Sequence, residues 1–258
     1  MARISYDEQT ATAFKAVREL PRDGLAEWRE AVRRHLPPSP GMTLVDIGAG
    51  TGAFAAAFGD WFDTGVVAIE PSAAMRERIA PTPAIEVLEG DAMHLPLPDG
   101  SANAAWLSLV IHHIPDLGAA AREIHRVLRP GSPVLIRQGY PDRYAPSGPL
   151  PPDGIEIVRW FPETAGAIAT FPTLEGTCAA FAAAAFQRVA LEQVRETYPG
   201  TLADFLGDVD AFRQADTTLR GLTDDEFRRG KQRLRRAVQD SSPEPRSNWL
   251  DLLVLRAG

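Results

Sequence analysis

Short apolar runs recur along this chain and alternate with longer stretches of helical periodicity. The runs at 43–47, 66–69, 85–88, 104–109 and 134–137 are four to six residues long. Segments of that length with no polar alternation fit strands buried on both faces. Between them, 53–60, 73–79 and 117–128 read as helices; Ser72 stands where an N-cap is wanted, and Arg129-Pro130-Gly131 stops the third. Strands that alternate with helices pair in parallel through right-handed crossovers, which covers both faces of the sheet.

The ends of this block are built differently. Ahead of it, 6–19 and 24–36 read as helices around the turn Pro21-Arg22-Asp23-Gly24, and Leu25, Trp28, Val32 and Leu36 give the second a buried stripe. A proline-rich linker, 37–41, follows. After the fifth strand, 139–152 reads as a loop, with helical pieces at 154–161 and 163–170. Helix 173–185 and strand 187–195 then resume the core, and 248–256 closes it.

A second insertion, 197–246, starts helices at Thr201 with Asp204 and at Thr223 with Glu226, both in the capping-box pattern. Leu202, Phe205, Leu206, Val209 and Phe212 form one apolar stripe, expected to cover the mouth of a pocket. The expected fold is therefore one α/β domain: a doubly wound, Rossmann-like, seven-stranded and mostly parallel sheet with helical cap insertions. Core segments are 41–138, 173–196 and 247–258; the cap comes from 1–40, 139–172 and 197–246.

The first strand runs into Gly48-Ala49-Gly50-Thr51-Gly52 and then into a helix. Glycines there permit a tight turn and close approach of a ligand, and the helix start presents unpaired N–H groups, so this is a nucleotide-type site. Gly48, Gly50 and Ala53 formally satisfy G-x-G-x-x-G/A, and Glu70 follows Gly50 at the spacing of a ribose-binding acid. NAD is thus one candidate. Asp46 before the loop and Asp91 after the third strand would repel a pyrophosphate, whereas S-adenosylmethionine brings a sulfonium and an ammonium. The acidic rim favours the latter.

Five ordered segments carry a resemblance: Val45-Asp46-Ile47-Gly48-Ala49-Gly50-Thr51-Gly52, Ala68-Ile69-Glu70-Pro71-Ser72, Glu89-Gly90-Asp91-Ala92, Leu107-Ser108-Leu109-Val110-Ile111-His112-His113-Ile114 and Val127-Leu128-Arg129-Pro130-Gly131. Together they resemble the class I S-adenosylmethionine-dependent methyltransferases of small-molecule type, over roughly 41–138. The resemblance implies that fold, S-adenosyl-L-methionine as cofactor, and a small methyl acceptor; a module that binds S-adenosylmethionine without chemistry stays an alternative, because no residue in the substrate half is diagnostic. It places Asp46 near the cofactor ammonium, Glu70 on the ribose hydroxyls, and Asp91 with the Ala92 amide at the adenine edge. Gly48, Gly50 and Gly52 would lie along the methionine part, and Tyr6, Ala49, Pro71 and Leu109 complete the expected cofactor contacts. Glu70 is expected to matter little for folding.

His112 and His113 directly follow the fourth strand, where the methyl group would lie, and are the candidate proton acceptors. Strand alternation would aim only one of them at the pocket. His94 and His125 read as loop and surface residues. Tyr6, Tyr140, Tyr144, Trp160, Phe161 and Phe171 flank the expected mouth and suit an apolar or aromatic acceptor. The basic run Phe227 to Arg236 reads as a solvated helix face behind Phe227, Leu234 and Val238.

With 258 residues, 45 % of them apolar, the chain can bury one sizeable core. The charge of −7 argues against nucleic-acid or anionic-membrane partners. No stretch is apolar enough to span a membrane, no metal-ligand cluster appears, and a lone cysteine, Cys178, reads as a small core residue. The expectation is a cytoplasmic monomer or homodimer.

Overall fold

The computed structural model describes residues 6–17, 22–36, 39, 41–143, 156–198, 200–240 and 244–258. The strands are β1 (Thr43–Ile47), β2 (Gly65–Ile69), β3 (Ile85–Leu88), β4 (Ala104–Ser108), β5 (Pro133–Gln138), β6 (Phe186–Thr197) and β7 (Ser247–Ala257). They form one seven-stranded sheet in the order β3-β2-β1-β4-β5-β7-β6. The first five pair in parallel; β7 runs antiparallel to both β5 and β6. The order reverses between β1 and β4, and that reversal opens a crevice at their carboxyl ends.

The helices are α1 (Glu8–Val17), α2 (Ala26–His35), α3 (Ala53–Phe62), α4 (Ala73–Arg76), α5 (Leu117–Val127), α6 (Glu156–Trp160), α7 (Ala165–Ile168), α8 (Leu174–Ala182), α9 (Leu202–Ala215), α10 (Thr217–Arg220) and α11 (Asp224–Asp240). Alternate strand positions feed two cores. Val45, Ile47, Leu107 and Ile136 pack with Ile124 of α5 and Phe181 of α8. Leu44, Trp106 and Leu135 pack on the other face with Trp28 of α2 and Phe58 of α3. In this second core Phe54 and Trp106 lie 4.8 Å apart, and the Trp28 ring meets Trp106 edge-on at 5.9 Å.

A third core lies outside the sheet. Phe205, Val209 and Phe212 of α9 bury against Phe161, Leu219, Leu222, Phe227 and Leu234. The stripe on α9 therefore packs inside the cap itself, with Leu202 and Leu206 only partly buried. Both capping signals are realised: Thr201 Oγ1 accepts from the Asp204 amide, and Thr223 Oγ1 from the Glu226 amide. The basic run lies on α11, with Phe227 and Leu234 inward and its charges on acids: Arg233 on Glu163, Lys231 on Asp210, Arg228 on Asp225.

Four positions differ from expectation. Tyr140 is fully buried in the first core rather than at a mouth, because the chain continues under the sheet after β5 before it turns at 141–143. His125 is half-buried, its ring edge-on to Phe186 at 5.4 Å, because α5 packs that face against the start of β6. Helix α10, capped by Asp216, was not foreseen in the sequence. The β6–β7 pairing runs past the sheet edge: Gln138 ends β5 opposite Asp251, while β7 continues to Ser247 opposite Thr197. Tyr144 and most of the loop expected at 139–152 lie outside the described residues. Among the described residues no helix is long and apolar enough to cross a membrane.

Candidate active site

The glycine loop is built by steric exclusion. Gly48 and Gly52 adopt φ of 71° and 82°, and a Cβ on them would stand 2.5 Å from Val110 Cγ2 and 2.8 Å from Ile79 Cγ2. Gly50, at φ 58°, has nothing within 4 Å of the Cβ position, so its backbone faces open space. The Gly48 and Ala49 amides donate to the Ile69 carbonyl and pin the turn to the end of β2.

Glu70 braces this loop. One carboxylate oxygen accepts from the Gly50 amide and the other from the Ser72 amide, each at 2.9 Å. The residue is 6 % exposed, and burial raises its pKa. Asp46 lies deeper, 1 % exposed at the end of β1, and its Oδ2 has no hydrogen-bond partner. Burial first, and the Glu70 charge second, push its pKa up to about 7, against an opposing amide hydrogen bond from Ala55. A buried oxygen left without a donor costs free energy, which a donor reaching it from the cavity would recover.

Both acids line one cavity of about 660 Å³, a size usual for a small-molecule site. Of the expected residues, Tyr6, Asp46, Gly48, Ala49, Gly50, Glu70, Pro71, Leu109, His112 and His113 line it. Gly52, Asp91 and Ala92 do not. Gly52 caps α3 beneath the loop, where its Cβ space belongs to Ile79. Asp91 turns one carboxylate oxygen back onto the Met93 and His94 amides, at 2.7 and 3.2 Å, while its side chain stands half exposed outside the cavity. Ala92 is buried in the first core, and His94 is exposed.

Both histidines, not one, face the cavity. Residues 111–113 form a 3-10 turn, so the alternation of an extended strand ends at Ser108. Leu109 makes the break with φ 52°, a conformation L-residues adopt at a cost, its amide held by the Arg137 carbonyl at 2.8 Å. The His112 ring stacks on Phe171 at 4.3 Å, and the Tyr6 hydroxyl lies 3.3 Å from His113 Nε2. Tyr6 also accepts the Ser72 hydroxyl at its carbonyl, which ties the N-terminal segment to the Glu70 loop.

The side of the cavity away from the glycine loop holds residues that sequence reasoning missed. Arg137 of β5 pairs with the fully buried Glu196 of β6 and donates to Ser108 Oγ at 2.9 Å; Trp28 Nε1 donates to Glu196 at 2.9 Å. Arg137 sits in a fully buried strand, where its charge is the signal that could have found it; Glu196 lies in the polar edge strand β6 between Arg195 and Thr197, so nothing local marks it. Gln138, Tyr198, Arg246 and Asn248 line the same side, and Ile157, Ile168, Phe171, Phe205 and Phe212 of the cap supply an apolar wall. Among the described residues no group of histidine, cysteine or acidic side chains could hold a metal ion.

Residues 45–136 match a methyltransferase-domain family model. The ubiquinone/menaquinone biosynthesis C-methyltransferase of Caulobacter vibrioides is 35 % identical over 122 residues, covering 42 % of this chain and 48 % of its own. The chain thus spans about half the length of such curated relatives. A putative methyltransferase from an antibiotic biosynthesis pathway of Anabaena variabilis superposes with a TM-score of 0.70 at 20 % identity, covering 93 % of this chain and 99 % of that one. Geranyl diphosphate C-methyltransferase of Streptomyces coelicolor, solved with Mg²⁺, geranyl diphosphate and S-adenosyl-L-homocysteine, superposes at 0.56 and 16 % identity, covering 90 % and 77 %. Residues 45–136 are thus similar to methyltransferase domains, and the chain shares the fold of the class I S-adenosylmethionine-dependent methyltransferases.

Proposed function

We propose that the protein transfers a methyl group from S-adenosyl-L-methionine to an oxygen, nitrogen or carbon atom of a small acceptor with an apolar or aromatic body. The observation that carries this is Asp46: a buried carboxylate oxygen without a donor, beside a glycine loop whose open face is the cavity wall. An ammonium supplies the missing donor and charge, whereas a pyrophosphate would face Asp46 and Glu70 as like charges. When bound, S-adenosylmethionine supplies an electrophilic methyl group on a sulfonium.

The chain's own residues do the rest. Asp46 would hold the amino group, and Glu70, whose oxygens keep lone pairs beside the Gly50 and Ser72 amides, would take the ribose hydroxyls. Asp91 and the Ala92 amide would meet the adenine edge beyond the cavity rim. Tyr6, tied to Ser72 and set beside His113, would close over the ligand and exclude water. His112 or His113 would accept the proton that an oxygen or nitrogen nucleophile loses, and the apolar cap would hold the acceptor in line.

Thermal shift with S-adenosylhomocysteine tests the assignment, because a ligand that binds only the folded state raises Tm by mass action. Stabilisation by S-adenosylhomocysteine and none by NAD at equal concentration is expected. The opposite pattern refutes it.

A further inference from the structure

Gln138 ends β5, a strand buried along its whole length, and lines the cavity at 2 % exposure. A carboxamide so deeply enclosed needs partners at both ends. Its Nε2 donates to the Gly139 carbonyl at 3.2 Å, a contact only the nitrogen can make, which fixes the sense of the amide. Among the described residues its Oε1 has no donor.

Among the described residues, three buried side-chain oxygens without a partner belong to the cavity wall: Asp46 Oδ2, Gln138 Oε1 and Asn248 Oδ1. Asp46 stands beside the glycine loop and Asn248 is half-buried, so Gln138 is the deeply buried one away from the loop. Its strand neighbours do not serve it. Arg137 projects from the opposite face of β5, over the Trp28 and Phe54 rings, and is engaged by Glu196 and Ser108. Asp251, opposite Gln138 in the β5–β7 register, brings a carboxylate that Arg143 holds at 3.2 and 3.3 Å.

Sheet order says which ligand Gln138 meets. Ser108 is in register with Arg137, so Leu109 and Gln138 stand level at the carboxyl edge, one strand spacing of ~4.8 Å apart. The turn that carries His112 and His113 starts at Ile111. The glycine loop follows β1, two strands or about 10 Å from β5, and Glu70 follows β2, further still. Gln138 therefore stands on the histidine side of the cavity, away from the nucleoside.

We infer that Gln138 determines specificity for the methyl acceptor: its Oε1 receives a hydroxyl or N–H that the acceptor carries beside the atom to be methylated. The nucleophilic atom gives its own proton to a histidine, so the donor at Gln138 is a second one. A buried carbonyl of this kind discriminates well, because an analogue without the donor seals it from water unpaired. This rests on the methyltransferase reading above.

The probe is 2,3-dihydroxynaphthalene, two adjacent hydroxyls on a flat apolar body, measured by calorimetry on protein saturated with S-adenosylhomocysteine. It is compared with 2-naphthol, which lacks one hydroxyl, and with 2,7-dihydroxynaphthalene, which keeps both but sets them apart. The adjacent diol should bind about tenfold more tightly than either, the difference expected of one well-made hydrogen bond. Gln138→Met has a similar shape and no acceptor. It should bring the three ligands to within about twofold of one another while S-adenosylhomocysteine affinity stays unchanged. Should that variant fail to fold, the three-ligand comparison on the unaltered protein still decides.

Equal binding of the adjacent diol and 2-naphthol overturns the inference, and so does no binding of any of the three at millimolar concentration. A preference for the adjacent diol that survives in Gln138→Met overturns it too, because the second hydroxyl would then be held elsewhere. Weaker S-adenosylhomocysteine binding by Gln138→Met does the same, since the glutamine would serve the cofactor. Failure of the unaltered protein to bind S-adenosylhomocysteine at all is the separate result that removes the methyltransferase reading itself.

Discussion

Titrating cofactor-product affinity against pH puts the Asp46 argument at risk most directly. In the ligand-free protein its pKa stands at about 7, raised by burial and by Glu70. An ammonium at the unpaired oxygen favours the ionised form, so binding should drive the pKa back down and release a proton. If the bound value falls well below 6, the dissociation constant of S-adenosylhomocysteine at pH 6 should be about tenfold weaker than at pH 8. Calorimetry in buffers of different ionisation enthalpy should report about 0.9 proton released per ligand at pH 6 and about 0.1 at pH 8.

The same shift acts on stability with a definite sign. The folded state holds the proton where the unfolded state has lost it, so the group costs nothing below about pH 4, and stability falls as pH rises toward 7. Asp46→Asn removes that dependence. Its stability relative to the unaltered protein should therefore improve by about 2 kcal/mol between pH 5.5 and 8, while its S-adenosylhomocysteine affinity loses its pH slope. Affinity that is flat from pH 5.5 to 8 with no proton exchange would sink the reasoning.

Four further outcomes follow. Glu70→Ala should weaken S-adenosylhomocysteine binding by tenfold or more in calorimetry; because the Gly50 and Ser72 amides lose their acceptor, it should also cost about 1–3 kcal/mol in denaturant unfolding. Gly230→Ala drives a methyl group into the Phe161 ring and should destabilise the cap by about 1–3 kcal/mol, seen as faster proteolysis within 156–240 with cofactor binding retained. With an oxygen acceptor in hand, replacing the histidine that acts as base with asparagine should lower kcat by about a hundredfold without changing S-adenosylhomocysteine affinity; no loss from either histidine would leave orientation alone as the catalyst. Hydrogen exchange should slow in 6–17 and 156–171 on adding S-adenosylhomocysteine, and protection confined to the glycine loop would mean the cap is static.

The strands and the glycine loop were legible in the sequence because each is specified locally. Leu44, Val45 and Ile47 can only be buried, and Gly48 and Gly52 stand where any Cβ would strike Val110 or Ile79. Glu70 was legible as a residue of the crevice but not as a brace, since the Gly50 amide it accepts from is 20 residues away. Strand alternation misassigned His112 and His113 because the left-handed Leu109 ends the strand, and nothing in a leucine announces positive φ. Arg137, Glu196 and Arg246 come from three separate segments, and only the β5-β7-β6 order brings them to one wall. Tyr140 was misplaced by a composition argument that could not see the chain turn under the sheet.

Phe205 and Phe212 each belong to two surfaces at once, the interior of the cap and the wall of the cavity. An acceptor pressed against them therefore adds contacts to the cap's own core, so filling the pocket and ordering the cap are one thermodynamic event. Selection for a new acceptor would act through these rings, and every gain or loss of fit would register in how firmly the cap is held. The sheet beneath, with separate cores on its two faces, would be untouched. On the proposed activity, substrate choice would thus be free to drift without endangering the fold, provided the cap kept enough of its own interior.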